Sequence, residues 1–96
     1  MTIRRLVIDV LMPLDPPIVL YAEKISQLEN TDGVNIHVIE IDEKTRTVEM
    51  TIEGVNLSFE AIKKVIEELG GSVHSIDRIS AGSRIVESKV TEDTQR

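Results

Sequence analysis

The order in which the hydrophobic period changes along the chain is the feature that most constrains its fold. In a strand, apolar residues alternate with polar ones or run together, whereas in an amphipathic helix they recur every three or four residues. Six segments show such a period, in the order strand, helix, strand, strand, helix, strand: residues 3–12, 16–29, 34–42, 47–54, 59–69 and 72–81. The short polar link at residues 43–46 is typical of a hairpin between the second and third strands.

This order of segments indicates one small domain. A chain of 96 residues supports a single hydrophobic core. With right-handed crossovers, the order predicts an α+β fold, the ferredoxin-like βαββαβ sandwich, in which a four-stranded antiparallel sheet has two helices on one face. The expected strand order is fourth, first, third, second, and the other face of the sheet is open. We assign the domain to residues 1–82 and expect residues 83–96 to be a polar C-terminal tail, either frayed or ordered in an oligomer.

The helix boundaries are marked by residues that favour caps. Asp15 is the expected N-cap of the first helix, with Pro16 in the first helical position. Ser58 is the expected N-cap of the second helix, and Gly70 favours the left-handed conformation that ends it. The apolar stripes predicted to face the sheet are Ile18, Ala22, Ile25 and Leu28 in the first helix and Phe59, Ile62, Val65, Ile66 and Leu69 in the second.

Alternation within the strands predicts which side chains face the helices. In the third strand, Val48, Met50 and Ile52 alternate with hydroxyls and carboxylates, so one face is buried and the other is polar. The alternation slips at residues 38–41 of the second strand, which indicates a β-bulge. The period of the fourth strand is imperfect, and its core candidates are Val73, Ile76 and Ile79.

The composition limits the classes of partner. The chain has 17 acidic and 11 basic residues, a net charge of −6, and its basic residues are spread along the sequence. We therefore expect no binding to nucleic acid or to anionic membranes. The central strands also lack the aromatic side chains on which RNA-recognition modules stack bases. Because there is no cysteine and no apolar run of about 20 residues, we expect a soluble, cytoplasmic protein without a thiolate metal site.

Four carboxylates are predicted to share the open face of the sheet. They are Asp9 in the first strand, Glu49 and Glu53 in the third, and Asp77 in the fourth. Clustered carboxylate oxygens suit Ca²⁺ or Mg²⁺ rather than zinc, so these residues are the candidate metal ligands. The alternative is a solvated face whose carboxylates are balanced by nearby arginines, for which the candidates are Arg5, Arg46 and Arg78.

Histidine and serine residues leave an enzyme open as an alternative. His37 and His74 are predicted to lie on opposite edge strands, so a zinc site that needs both is disfavoured. Three serines lie near His74 in the sequence, namely Ser72, Ser75 and Ser80, and a small enzyme could use His74 with these or with acidic residues. No Gly-x-Ser-x-Gly elbow is present to expose a nucleophile, and we assign no catalytic residues.

Apolar residues predicted on the open face indicate self-association. Val7, Leu11, Ile39 and Ile41 would be exposed there on a monomer, and exposed apolar patches usually mark interfaces. The free edge of the second strand is a further site for pairing, either with another copy or with the segment around residues 84–86. We therefore favour a non-enzymatic, self-associating binding or regulatory module. A monomer that tolerates scattered apolar exposure is the alternative.

Four short motifs carry a family resemblance: residues 9–13 (DVLMP), 32–36 (DGVNI), 51–54 (TIEG) and 70–77 (GGSVHSID). Together they resemble a family of short archaeal proteins classed as a domain of unknown function, and the resemblance extends to about residue 86. It implies a ferredoxin-like fold, assembly of several copies into a ring, and binding of divalent cations such as Ca²⁺. Asp9, Glu53 and Asp77 lie in the matching motifs, so the resemblance favours them as ligands. It implies no established activity.

Overall fold

The computed structural model describes residues 2–87, which form one four-stranded sheet and two helices. The elements are β1 (Ile3–Pro13), α1 (Ile18–Ser26), β2 (Thr31–Ile41), β3 (Thr45–Gly54), α2 (Phe59–Glu68) and β4 (Ser72–Ala81). The strand order is β2-β3-β1-β4, and all neighbouring strands are antiparallel. This topology confirms the predicted ferredoxin-like α+β fold. Neither described helix has the length and apolar character needed to cross a membrane.

The core lies between the sheet and the helices and is built mainly from alternate residues of the two central strands. The buried apolar residues are Leu6, Ile8, Val10 and Met12 of β1, Val48, Met50 and Ile52 of β3, Tyr21 and Ile25 of α1, Ile62 and Ile66 of α2, and Leu57. Among residues 2–87, no polar or charged residue is buried with them. The stabilisation of this layer therefore comes from apolar burial, at about 25 cal/mol per Å².

The first helix begins later than its sequence predicts. Ile18 is the first helical residue, and Pro17 occupies the N-cap position without a side-chain hydrogen bond, so the prediction that Asp15 caps the helix is wrong. Two consecutive prolines account for the difference. A residue that precedes proline is biased away from the helical conformation, which disfavours a helical Pro16 and moves the start of the helix beyond the second proline.

Tyr21 ties the two helices together, although it lies outside the predicted apolar stripe. Its ring is completely buried, and its hydroxyl donates a 2.9 Å hydrogen bond to the carbonyl of Leu69, the C-cap of α2. Burial raises the pKa of Tyr21, while the positive charge of Arg46 acts in the opposite direction. Arg46 donates to the carbonyls of Leu14 and Pro16 over 3.1 and 2.7 Å, and so holds the link between β1 and α1.

The second helix has the predicted ends. The Ser58 side chain accepts a 3.1 Å hydrogen bond from the backbone N–H of Ala61, as expected of an N-cap. Gly70 has a φ of 97°, in the left-handed region that glycine adopts at little cost. The N–H of Gly71 then donates to the carbonyl of Ile66 over 2.9 Å and closes the helix.

The hairpin between β2 and β3 contains the predicted bulge. The register of the two strands shifts between Val38 and Glu40, so Ile39 has no direct partner in the ladder. At the turn, the Asp42 carboxylate accepts the backbone N–H groups of Thr45 and Lys44 over 2.8 and 3.0 Å. These hydrogen bonds lower the pKa of Asp42, with that of Thr45 making the largest contribution.

The fourth strand contributes less to the core than predicted. Val73 is partly buried against the core, but Ile76 and Ile79 are 48% and 55% exposed, so the prediction that they are core residues is wrong. They lie opposite Ile8 and Leu6, on the helix side of the sheet. Because β4 is an edge strand with three register shifts against β1, these side chains lie beyond the cover of the helices.

Candidate functional site

The face of the sheet opposite the helices, here called the open face, carries the polar residues of the central strands. Asp9 of β1 lies directly opposite Glu49 of β3, at positions that alternate with the buried ones. His37 of β2 is the other neighbour of Glu49, and Ser75 of β4 is the other neighbour of Asp9. A row of four polar residues therefore crosses the sheet, and Asp9 and Glu49 face away from the helices as predicted.

A groove of about 350 Å³ lies on the open face beside this row. It is lined by Arg5, Val7, Glu49, Thr51, Glu53, Asp77 and Arg78. Three of the four predicted ligands thus line one groove, two of them on β3 and one on β4. Asp9 lines a neighbouring depression of about 220 Å³ with Leu11, Thr47 and His74.

Arg5 lines this groove and contacts two carboxylates. Its Nε donates to Glu53 Oε2 over 2.8 Å, and its Nη1 contacts both oxygens of Glu87 at 3.1 and 3.2 Å. The hydrogen bond to Glu53 raises the pKa of Arg5, burial opposes this effect, and Glu87 adds to it. Arg5 is therefore a counter-charge of the face, as expected. The same expectation for Arg46 is wrong, because its guanidinium donates to the two carbonyls of the β1–α1 link.

The carboxylates of the groove are held by neighbours of the same chain. Asp77 accepts a 2.8 Å hydrogen bond from the hydroxyl of Ser75, and Glu53 is held by Arg5. Within residues 2–87, no three acidic or histidine side chains converge closely enough to hold a metal ion. The fold therefore places Glu49, Glu53 and Asp77 on one surface. Their carboxylates are spread along this surface and do not converge on one point.

His37 and His74 are exposed and lie on the opposite edge strands, as predicted. Of the serines near His74, Ser75 donates its hydroxyl to Asp77 and Ser72 is exposed at the start of β4. Ser80 lies opposite Arg5, at the other end of the strand. The described residues thus contain no serine hydroxyl that donates to His74.

Part of the predicted apolar surface lies on the open face, but Ile41 does not belong to it. On the open face, Leu11 is 44% exposed and Val7 is half-buried. Ile41, by contrast, lies opposite Arg46 of β3, and Arg46 in turn lies opposite Met12 of β1, which is buried under the helices. Ile41 therefore belongs to the helix side of the sheet. Its expected place on the open face is wrong because the bulge at Ile39 shifts the alternation of the strand by one residue.

Two further features of the molecule were not predicted from the sequence. The exposure of Ile76 and Ile79 was one, although the imperfect period of β4 was a signal that its side chains do not all reach the core. The other is the contact of residues 83–87 with the consecutive arginines Arg4 and Arg5. No local pattern indicates a contact between residues that are about 80 positions apart. Residues 88–96 of the predicted tail lie outside the described residues.

Comparison with known proteins identifies relatives over nearly the whole chain. The profile of the family DUF211, described as Uncharacterized ArCR, matches residues 4–95. The uncharacterized protein MJ0319 of Methanocaldococcus jannaschii is 53% identical over 85 residues, which cover 88% of each chain.

Proposed function

We propose the following role for this chain, which belongs to DUF211, an archaeal family of unknown function: it is a non-enzymatic module that assembles with copies of itself. Membership of this family confirms the resemblance found in the sequence motifs. The assembly is proposed to use the outer edges of the sheet, and the open face then remains for binding. We place the protein in the cytoplasm, because it has no cysteine that an oxidising compartment would favour.

Four large apolar side chains on the two edge strands carry the proposal. Ile39 and Ile41 of β2 are 56% and 62% exposed, and Ile76 and Ile79 of β4 are 48% and 55% exposed. Within residues 2–87, neither β2 nor β4 has a strand neighbour on its outer side. Exposed apolar side chains beside unpaired backbone groups are typical of association surfaces, because pairing buries both at once.

The charges of the two edges favour pairing between β2 of one copy and β4 of the next. β2 carries Asp32 and Glu40 and no lysine or arginine, whereas β4 carries Asp77 and Arg78. Two β2 strands side by side would bring carboxylates together, which destabilises a strand pair. Pairing of β2 with β4 joins two different surfaces, so it repeats from copy to copy, and the assembly that we propose is one in which the rotation between copies closes a ring.

The surroundings of His74 support binding rather than catalysis. Its neighbour Ser75 donates its hydroxyl to Asp77, which leaves that oxygen without a histidine base to activate it. The net charge of −6 opposes contact with phosphate backbones and anionic lipid surfaces. The partners proposed are therefore proteins, first of all other copies of this chain.

Light scattering tests the assembly through paired substitutions. Ile41→Glu on β2 and Ile76→Glu on β4 each place a charge at an edge, and each variant alone is expected to be monomeric at tens of micromolar. An equimolar mixture of the two is expected to form a dimer, because the intact β2 edge of one variant meets the intact β4 edge of the other. Val19→Glu, at a residue 61% exposed on α1, is the control and should assemble like the wild type.

The mixture separates the alternatives. If β2 pairs with β2, the Ile76→Glu variant forms dimers without its partner and the mixture adds nothing. A wild-type chain that is monomeric at the same concentration contradicts the proposal altogether.

A divalent-cation site on the open face is the second candidate function. One observation favours it, namely that Glu49, Glu53 and Asp77 line the same groove, since carboxylate oxygens are the ligands that Ca²⁺ and Mg²⁺ prefer. Titration calorimetry with CaCl₂ or MgCl₂ is expected to show heat for the wild type and to lose it in Glu49→Gln and in Asp77→Asn, at two residues that line the groove. Glu68→Gln, at an exposed residue of α2, is the control. A wild type with no heat and no rise in Tm contradicts the candidate.

A further inference from the structure

The residues that follow β4 turn back toward β1. Gly82 has a φ of 119°, in the left-handed region that favours glycine, and its N–H donates a 2.7 Å hydrogen bond to the carbonyl of Thr2. Residues 83–87, which we name the C-terminal strap, run on from this point. Glycine at this position therefore lets the chain reverse at the end of the sheet.

Two consecutive arginines of β1 hold the strap at its two ends. Arg4 Nη1 donates to the carbonyl of Ser83 over 2.6 Å, and Arg4 Nε donates to the carbonyl of Gly54 over 3.2 Å. Arg5 Nη1 lies 3.1 and 3.2 Å from the two carboxylate oxygens of Glu87. The strap is therefore held at Ser83 by one arginine of β1 and at Glu87 by the next.

Within residues 2–87, few other contacts hold the strap in place. Ile85 is half-buried, while the other four strap residues are exposed and Val86 is 68% exposed. A segment that buries so little apolar surface and is held by a few polar contacts opens at low cost in free energy. The ion pair between Arg5 and Glu87 is therefore one of the few contacts described that keep the strap closed.

Arg5 connects the strap to the groove of the open face. Its guanidinium lines the groove and is shared between Glu53 inside it and Glu87 of the strap. The Arg5 side chain is 18% exposed, whereas that of Glu87 is 68% exposed. The strap thus screens a cation of the groove with a carboxylate that is itself open to solvent and to competing ions.

We propose that residues 83–87 are a releasable strap, latched by the ion pair between Arg5 and Glu87, whose opening uncovers the Arg5 end of the groove. The device stands apart from self-association, since it involves neither outer edge of the sheet. Salt opens it, because the attraction within an exposed ion pair weakens as the ionic strength rises. Loss of the Glu53 carboxylate does not open the strap, because Arg5 then no longer divides its hydrogen bonds between Glu53 and Glu87.

Limited trypsin digestion of the full chain measures the opening, since the bond after Arg84 lies in the middle of the strap. Mass spectrometry gives the rate at which the fragment ending at Arg84 forms. Glu87→Gln is expected to raise this rate about two- to fivefold, which is the range of an exposed ion pair. Raising NaCl from about 0.05 to 0.5 M is expected to bring the wild-type rate toward that of the variant and to leave the variant unchanged.

Controls separate the latch from the preferences of trypsin. Each rate is divided by that of a synthetic peptide spanning residues 80–91 with the same residue at position 87. Glu68→Gln removes an equal charge from the exposed end of α2 and should cut at the wild-type rate, and Glu53→Gln should cut no faster than the wild type. Equal normalised rates for Glu87→Gln and the wild type, or the same increase in Glu68→Gln, overturn the proposal.

Discussion

The two faces of the sheet are made by the same central strands and have opposite character. On the helix side, the buried residues of β1 and β3 are at most 1% exposed and are all apolar. On the open side, the residues between them include Arg5, Asp9, Glu49 and Glu53, all half-buried. Because side chains alternate with a period of two, a step of one residue separates a core position from a polar one. The comparison indicates that apolar burial is concentrated on the helix side and that the charged residues of the central strands lie on the open side.

The largest expected difference between the faces is the cost of removing apolar atoms. Ile8→Ala on the helix side should lower the free energy of unfolding by about 2–5 kcal/mol, because it leaves a cavity in a fully buried layer. Val7→Ala, at the next residue but on the open face, should cost about 1 kcal/mol or less. Urea denaturation of the two variants measures the difference, and equal losses would break the comparison.

Two glycines of the sheet test the same difference between the faces, because each can be given a side-chain methyl group. A Cβ at Gly54 would overlap the carbonyl oxygen of Asn30 and lie 2.8 Å from Leu57 Cδ2, so Gly54→Ala should cost about 1–3 kcal/mol. At Gly33, opposite Glu53 on the open side, a Cβ meets nothing within 4 Å, and Gly33→Ala should be close to neutral. Thermal unfolding of both variants tests this, and a neutral Gly54→Ala would show that the backbone there yields.

The ionisation of Tyr21 tests the buried layer between the sheet and the helices at high pH. Its pKa is raised in the folded state, so its contribution is fully present below the unfolded pKa of about 10 and is lost as pH rises through the folded pKa. As the chain has one tyrosine, absorbance near 295 nm should show its ionisation above pH 10 in the folded protein and near 10 in urea.

Tyr21→Phe removes the hydrogen bond to Leu69 and should cost about 1–3 kcal/mol, because it leaves a carbonyl between the helices without its donor. The variant should also lose less stability above pH 10 than the wild type does. Identical alkaline unfolding of the two proteins would contradict the role given to the phenol.

The smallest expected effects lie on the open face and have opposite signs. Glu49 lies directly opposite Asp9, so Glu49→Gln should stabilise the fold by about 0.2–1 kcal/mol through the loss of like-charge repulsion. Glu53→Gln, on the same strand and face, loses the ion pair with Arg5 and should be neutral or slightly destabilising. Chemical denaturation at low salt compares them, and a destabilised Glu49→Gln would show that this row of residues serves stability.

Local patterns predicted most of the elements and part of the candidate site. The alternation in β3 and the caps at Ser58 and Gly70 depend on neighbours a few residues away, so the sequence predicted them. The start of α1 was not predicted correctly. Asp15 is a residue that favours an N-cap, but the two prolines that follow it disfavour a helix that starts there. The carboxylates Glu49 and Glu53 were placed correctly on the open face, because the strand alternates without interruption.

The sequence by itself determined the order of the elements, the apolar residues that form the buried layer and the acidic character of the other face, because each follows from the period of a continuous segment. The tertiary structure alone decided that Ile76 and Ile79 are exposed and that Ile41 lies on the helix side of the sheet. It also decided that Arg5 pairs with both Glu53 and Glu87. These outcomes depend on how far a helix reaches over an edge strand, on a bulge within a pair of strands and on contacts between distant residues. Such relations arise when strands pair and layers pack, and no local period contains them.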